Sequence, residues 1–475
     1  IRIILAKQLS LEEFGLFFAV FSFVWFFMVF RDFGLSYSLM KFIPEFLIKK
    51  QYEKIKASIL FVIFVNLFVS FLIAFLFFLF SDYLSESYFK NELSKPILLI
   101  LSIFFILNTL YRVLMSIFVG FQKSQYYSFD LFFINLFVLI GIFIFKKFGF
   151  LSPALSYVFA VSMGVIWGTI IIFKLFNFFK YRFDFSHNLK LKLFSYGLPL
   201  MLASIGYMVM GQMDILMITK FRPLADVAVY SVVLPTAMLL ITFGGSLAEV
   251  LLPFVSEYWA AKKIKQLNKI INEAYLKIFV ILVPIGLIFF IFADVILLIL
   301  FGKNFVSGFN ALRILSLGTL FFSVAVINNS IISAMGKPKL VTKIIFIGMF
   351  LNIILNLILI PKYGIDGAAI ATTLTYILVL ILSSYFVSST MQIKLPISNW
   401  IKSVSAGMLT LFIGLLLRYY LNFSILSEFF VVFISCISIY LFLIHFWRVA
   451  NVLEVILSLF KIIKSKLYTG VISQN

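Results

Sequence analysis

Charge is scarce in this sequence. Asp, Glu, Lys and Arg make up 12% of the 475 residues, against about 25% in ordinary soluble domains. Apolar residues make up 63%, and the mean hydropathy is +1.14. No soluble core has room for that much apolar side chain, so a soluble fold is excluded and lipid must serve as solvent. Cysteine is scarcer still. Cys436 stands alone, inside an apolar segment, which excludes an intramolecular disulfide. The two histidines, His187 and His445, are far apart and lack metal-ligand spacing. No phosphate-binding Walker loop, no GxGxxG following a strand and no nucleophilic triad can be found. These gaps lead to the expectation of no cofactor, no metal and no enzymatic chemistry. Without an ATP-binding loop, transport would draw on an ion gradient or simply equilibrate its substrate.

Apolar runs are abundant. A membrane-crossing helix needs about 20 mainly apolar residues. Such runs lie near 14–38, 57–80, 96–119, 126–145, 151–176, 195–219, 226–252, 275–300, 308–333, 340–360, 365–388, 399–420 and 425–447. Polar turn residues separate them, and Tyr or Trp stands near many ends, as in an interfacial belt. The fold class expected is an all-α, multi-pass membrane protein. The longest connectors, around 41–56, 177–194 and 256–274, are basic and amphipathic and suit the membrane interface.

The net charge is +20. Its placement argues against a nucleic-acid partner, because the basic residues sit in short runs between spans. Loops on alternate sides carry about 25 and about 10 Lys and Arg, and the richer set faces the cytoplasm by the positive-inside rule. Lys49, Lys50, Lys54 and Lys56 belong to that set, as do Lys262, Lys263, Lys265 and Lys269. A cytoplasmic C-terminus with a basic tail follows.

The chain also repeats itself. Lys147-Phe148-Gly149-Phe150 answers Lys362-Tyr363-Gly364-Ile365, Gly120 falls opposite Gly336, Asn135 opposite Asn352, and Glu45-Phe46 opposite Glu257-Tyr258. The offsets run from about 212 to 217, and ordered matches at near-constant offset mark an internal duplication. The span at 195–219 then lacks most of a partner at the N-terminus, so a first helix is expected to be largely missing. The organisation expected is a six-helix lobe over 1–185, a second over 186–390, and two further helices with a basic tail over 391–475, with fourteen helices when intact. Repeats of even helix number share one topology and commonly rock about a central cavity.

Ionisable residues inside spans are costly and mark candidate sites. They are Arg31 with Asp32, Arg112, Asp214, Glu249 and Arg313. Arginine suits a diphosphate because its planar fork binds oxygen pairs, so Arg31, Arg112 and Arg313 are candidate substrate contacts. Each also has a structural reading, as a helix-end pair or a snorkelling cation. Asp214 and Glu249 are candidate ion-coupling residues; an ion pair and helix-end solvation are their alternatives. Asn328, Asn352 and Asn356 are candidate sugar contacts, with interhelical hydrogen bonds as the plainer role.

Three segments carry a family likeness: RDFGLSYSLMKFIPEF (Arg31–Phe46), YGLPLMLASIGYMVMGQMDILMITKF (Tyr196–Phe221) and YGIDGAAIATTL (Tyr363–Leu374). The chain resembles the polysaccharide-transporter branch, the O-antigen-type flippases, of the multidrug/oligosaccharidyl-lipid/polysaccharide exporter superfamily. The resemblance implies a MATE-like fold of two six-helix lobes in a V, with the last two helices peripheral. It implies movement of a polyprenyl-pyrophosphate-linked oligosaccharide across the cell membrane, in partnership with the lipid bilayer and with glycan polymerases or glycosyltransferases of the same pathway. A drug or metabolite exporter of the same fold is the alternative, and a membrane glycan polymerase or ligase is a third reading.

Overall fold

The structure, a computed structural model, describes residues 1–182, 187–391, 397–420 and 425–449. The basic tail expected over 450–475 lies outside the described residues. Those described form α-helices joined by short turns: α1 (Arg2–Gln8), α2 (Leu11–Phe27), α3 (Leu35–Ile48), α4 (Tyr52–Leu79), α5 (Ser81–Tyr83), α6 (Ser94–Gly120), α7 (Ser124–Ile144), α8 (Ser152–Leu175), α9 (His187–Phe221), α10 (Leu224–Ala260), α11 (Ile264–Ile291), α12 (Ala293–Phe301), α13 (Phe309–Ala334), α14 (Pro338–Met391), α15 (Ile397–Tyr420) and α16 (Ile425–Phe446). Among the described residues none forms a strand.

Among the described residues twelve helices are long and apolar enough to cross a membrane. One of them, α14, has 54 residues, which at 1.5 Å per residue is about 80 Å and far exceeds one bilayer core. Gly364 divides it into two stretches of crossing length, so the thirteen expected apolar runs are mainly helical, with breaks inside 14–38 and 275–300. Helix α4 shows how lipid reverses the usual pattern. Phe64, Phe68, Phe71, Phe75 and Phe78 form an outward stripe at helical spacing, while Asn66 and Ser70 are fully buried. Ser70 Oγ donates to Thr109 Oγ1 of α6 at 2.7 Å. Between such helices, polar contacts and close packing replace the hydrophobic drive.

The run expected as one span over 14–38 is broken. Helix α2 starts from a reciprocal cap: Glu13 N–H donates to Ser10 Oγ, and Ser10 N–H to Glu13 Oε2. It tightens to a 3-10 turn over Met28–Phe30 and stops. Arg31 and Asp32 therefore stand in a break between helices, not within a continuous one. Asp32 Oδ1 accepts the Gly34 N–H at 2.9 Å, a local bond that competes with helix. Gly34 has φ +73°, and its backbone lies against that of Gly197 in α9. Only a residue without a side chain fits there.

The duplication recurs in the backbone. Gly149 has φ 55°, ψ −124°, and Gly364 has φ 59°, ψ −134°, a combination open mainly to glycine. Lys50 and Lys262, 212 residues apart, both take φ +54°. Each closes a helix in the same way: Gln51 N–H donates to Phe46 O, and Lys263 N–H to Tyr258 O. Gln122 and Gly336 share that cap, with Lys123 N–H donating to Phe118 O and Lys337 N–H to Ile332 O. Gly336 thus answers Gln122, and the alignment with Gly120 is two residues out of register. The capping bonds set the register, which letter matching in an apolar alphabet could not.

Two compact units form. The first comprises Ile1–Val232 and Ile353–Ala368; the second comprises Val233–Asn352 and the described residues from Ala369 on. In the first, Leu39, Phe42 and Phe46 of α3 pack with Ile55 and Val62 of α4, Val113 and Ile117 of α6, and Leu193 of α9. In the second, α15 and α16 pack on α11. Arg418 of α15 fastens that corner: it forks onto Asp294 of α12 at 2.6 and 2.9 Å and reaches Glu428 of α16 at 3.1 Å. These acids were not among the expected span charges, because each sits at a helix end.

Candidate functional site

The break between α2 and α3 opens a cavity of about 510 Å³ within the first unit, inside the range of about 300–1,000 Å³ typical of small-ligand sites. Trp25, Met28, Arg31 and Asp32 line it from the α2 end and the break, Tyr37 from α3, Arg112 from α6, and Ser204, Tyr207, Met208 and Gln212 from α9. Two arginines far apart in sequence are brought to one space by one face of α6. Asn108 and Arg112 are a turn apart and point the same way. Asn108 Oδ1 accepts from Arg31 Nη1 at 2.6 Å, and Arg31 also donates to Met28 Sδ. Arg112 sits 5.7 Å from the Tyr37 ring centre and donates to its hydroxyl at a long 3.5 Å.

Among the described residues neither arginine has a carboxylate within ion-pair distance. Asp32 is the single acid lining the cavity, and it is engaged by Gly34. The lining therefore carries two cations and one anion. A buried guanidinium without a paired acid favours an anion with oxygen pairs. Arg31 is held in place by its neighbours, and Arg112 is nearly free to turn toward a ligand. Trp25 and Tyr207 add flat apolar faces, and Ser204 and Gln212 add neutral hydrogen-bonding groups.

The other residues singled out by sequence stand elsewhere. Asp214 is two positions beyond Gln212, so it faces away from the cavity. It is fully buried; its Oδ2 accepts from Tyr230 Oη at 2.6 Å and its Oδ1 from Asn356 Nδ2 at 2.7 Å. Asn352, one turn before Asn356, donates to Thr372 Oγ1 at 3.3 Å. In the second unit Asn328 accepts from Tyr275 Oη and donates to Ser383 and Ser384 at 3.1 and 2.9 Å. Arg313 donates to Phe290 O at 2.9 Å and lies over the Phe290 and Phe309 rings. Glu249 is exposed on α10. None of these six lines the arginine cavity.

Two groups escaped sequence reasoning. Tyr37 gave no signal because tyrosine near a span end is ordinary. Asp130 lies inside the run 126–145 yet was passed over among aromatics; it is buried in α7. Outside the spans, Glu45 of α3 is bound by Lys49 at 2.7 Å and by Lys192 of α9 at 2.9 Å. Hydrogen bonds from these two ammonium groups hold its carboxyl down to about 2.

A family described as "Polysaccharide biosynthesis protein" matches residues 1–259, more than half of the chain. The chain belongs to that family. The MatE family also matches residues 199–358 of the chain. It is 32% identical over 480 residues to an uncharacterized membrane protein of Methanocaldococcus jannaschii, covering 98% of this chain and 94% of the relative. It is 29% identical over 207 residues, 44% of each chain, to a probable low-salt glycan biosynthesis flippase, Agl15, of Haloferax volcanii. In fold it is similar to the lipid II flippase MurJ in an inward closed conformation, with a TM-score of 0.69 at 19% identity, over 94% of this chain and 98% of that one. The expected MATE-like, all-α membrane fold is the one found.

Proposed function

We propose that this member of the polysaccharide-biosynthesis family is a flippase. It moves polyprenyl-pyrophosphate-linked oligosaccharide units across the cytoplasmic membrane for surface polysaccharide synthesis. The observation that carries the reading is the cavity with Arg31 and Arg112 and no paired acid. The diphosphate is the charged part of such a lipid, and two guanidiniums match its oxygens. Trp25, Tyr207, Ser204 and Gln212 offer the first sugar apolar faces and hydrogen bonds. The polyprenyl chain stays in lipid, its own solvent.

Movement is by alternating access between two six-helix lobes, over 1–185 and 186–390, with the residues from 391 on attached beside them. The repeated caps and glycine corners support the duplication on which this rests. The protein forms and breaks no covalent bond of its cargo. It sits in the cell membrane with a cytoplasmic C-terminus and hands its cargo to glycan polymerases or glycosyltransferases. Related relatives named as a glycan biosynthesis flippase and as a putative O-antigen transporter support this substrate class.

Asp214 is the coupling residue of this reading. Its two buried oxygens meet a phenol and an amide, a setting in which gain of a proton or a sodium ion changes the local charge by one. Asp214→Asn is expected to leave substrate binding intact and to remove the dependence of flipping on an ion gradient. Flipping in vesicles with and without an imposed gradient measures this; unchanged gradient dependence would return Asp214 to a packing role.

The function itself is tested by deleting the gene in its host and asking which leaflet holds the lipid-linked oligosaccharide. Complete units accumulating on the cytoplasmic face, with loss of surface polymer, are the expected result. Normal delivery to the outer leaflet in a host with no second flippase would point instead to export of drugs or metabolites.

A further inference from the structure

A buried acid outside the cavity lining has no role in the reading above. Asp130, in the second turn of α7, is 1% exposed. Its Oδ2 and the buried hydroxyl of Tyr111 in α6 stand close but make no well-aligned hydrogen bond. Tyr111 and Ile134, a residue of the same helix as Asp130, meet at Gly164 of α8. A Cβ at Gly164 would stand 3.0 Å from Ile134 Cδ1 and 3.3 Å from Tyr111 Cε2, and Ile134 is one turn from Asp130 on the same face of α7. Tyr111 is the polar neighbour within electrostatic reach of the carboxyl. Around this pair stand Tyr127 of α7 and Arg112 of α6. The titratable groups of α8 are Tyr157, whose charged neighbour is Arg2, and Lys174 in its last turn. Lys146 and Lys147 are at the opposite end of α7.

An ionised carboxylate buried here with no cation in ion-pair contact is costly; the neutral acid is not. We propose that Asp130 is a proton-binding site. One proton joins a carboxylate oxygen, and the resulting O–H donates to Tyr111 Oη, filling two vacant hydrogen-bonding positions at once. Release of that proton places a negative charge beside Tyr111, one residue from the cavity arginine Arg112. An anion in the cavity and an ionised Asp130 are then two negative charges beside neighbouring residues, Arg112 and Tyr111, and they repel each other. By linkage, anion binding and proton uptake at Asp130 favour each other. This coupling rests on the cavity accepting an anion; the proton site does not.

The test uses the purified full chain in lipid nanodiscs. Infrared difference spectra between low and high pH are expected to show the carbonyl band of a buried carboxylic acid. That band is lost in Asp130→Asn and displaced in Tyr111→Phe, a variant that removes the proposed acceptor of its O–H. Identical wild-type and Asp130→Asn spectra would overturn the proton site. Inorganic pyrophosphate added in weak buffer is expected to draw about one proton per protein from solution in the wild type and none in Asp130→Asn, read with a pH dye. No uptake by the wild type, with the infrared band present, would overturn the coupling and leave the proton site standing.

Discussion

Arg112→Ala is expected to abolish flipping while the protein still reaches the membrane at its normal level. The side chain has little structural work to lose. Its one side-chain hydrogen bond among the described residues is the long contact to Tyr37, and its ring contact with Tyr37 is a further, weak tie. Its value lies in a ligand. Truncating one partner of a desolvated charge pair costs about 2–5 kcal/mol, and each 1.4 kcal/mol is about tenfold. A loss of two to three orders of magnitude in transport is therefore expected, beyond the range of most in-vivo assays. Arg112→Lys keeps the charge and loses the fork, so partial recovery is expected. Arg31 offers a contrast, because it is buried and bonded to Asn108 and Met28. Arg31→Ala is expected to lower both transport and stability. Transport by purified protein in vesicles, set beside the amount of folded protein, separates the two. Full activity in Arg112→Ala would remove this residue from the site.

Gly34→Ala is expected to be the most damaging small substitution. Two costs add there. The residue holds φ +73°, which costs an L side chain about 1–2 kcal/mol. The new Cβ would also stand 2.1 Å from Gly197 O, and backbone cannot swing aside as a side-chain tip can. Overpacking adds about 1–3 kcal/mol, so a loss of about 2–5 kcal/mol is expected from the two together. Gly149→Ala is the control: it has positive φ, but a Cβ there meets nothing within 4 Å. It carries backbone strain alone, about 1–3 kcal/mol for a pair of angles open mainly to glycine. Thermal unfolding in detergent should rank Gly34→Ala below Gly149→Ala. Because the break at Arg31–Gly34 opens the cavity, substrate binding should fall with stability in the first and survive in the second. Equal melting temperatures would show that α3 and α9 have room to part at this point.

The contrast between those two glycines shows how unevenly the chain can be read. Gly149 and Gly364 announce themselves through a repeated connector, and their shared backbone geometry follows from it. Gly34 sits in an apolar run that reads as a plain span, and only the approach of Gly197 explains why the helix ends before it. Arg31 and Arg112 were visible as costly charges in lipid. Their meeting depended on Asn108, whose helix face is legible but whose partner is not. Asn352 and Asn356 share a face in sequence and yet hold different partners, Thr372 and Asp214. Asp130 was legible as a charge in a span and was hidden by its aromatic company.

By itself the sequence determined that this protein is helical, belongs in a membrane and carries many apolar runs of crossing length, with motifs repeating at a near-constant offset. Those properties follow from local composition and period: apolar run length, turn residues and a constant offset. Tertiary structure alone decided where the first span breaks, that the two arginines share one cavity, and that Asp214 turns away from it toward Tyr230 and Asn356. Which polar groups meet inside a membrane depends on how helix faces pack over distances of a hundred residues or more. In lipid, apolar faces are interchangeable as far as the solvent is concerned, so hydropathy carries no record of which face meets which.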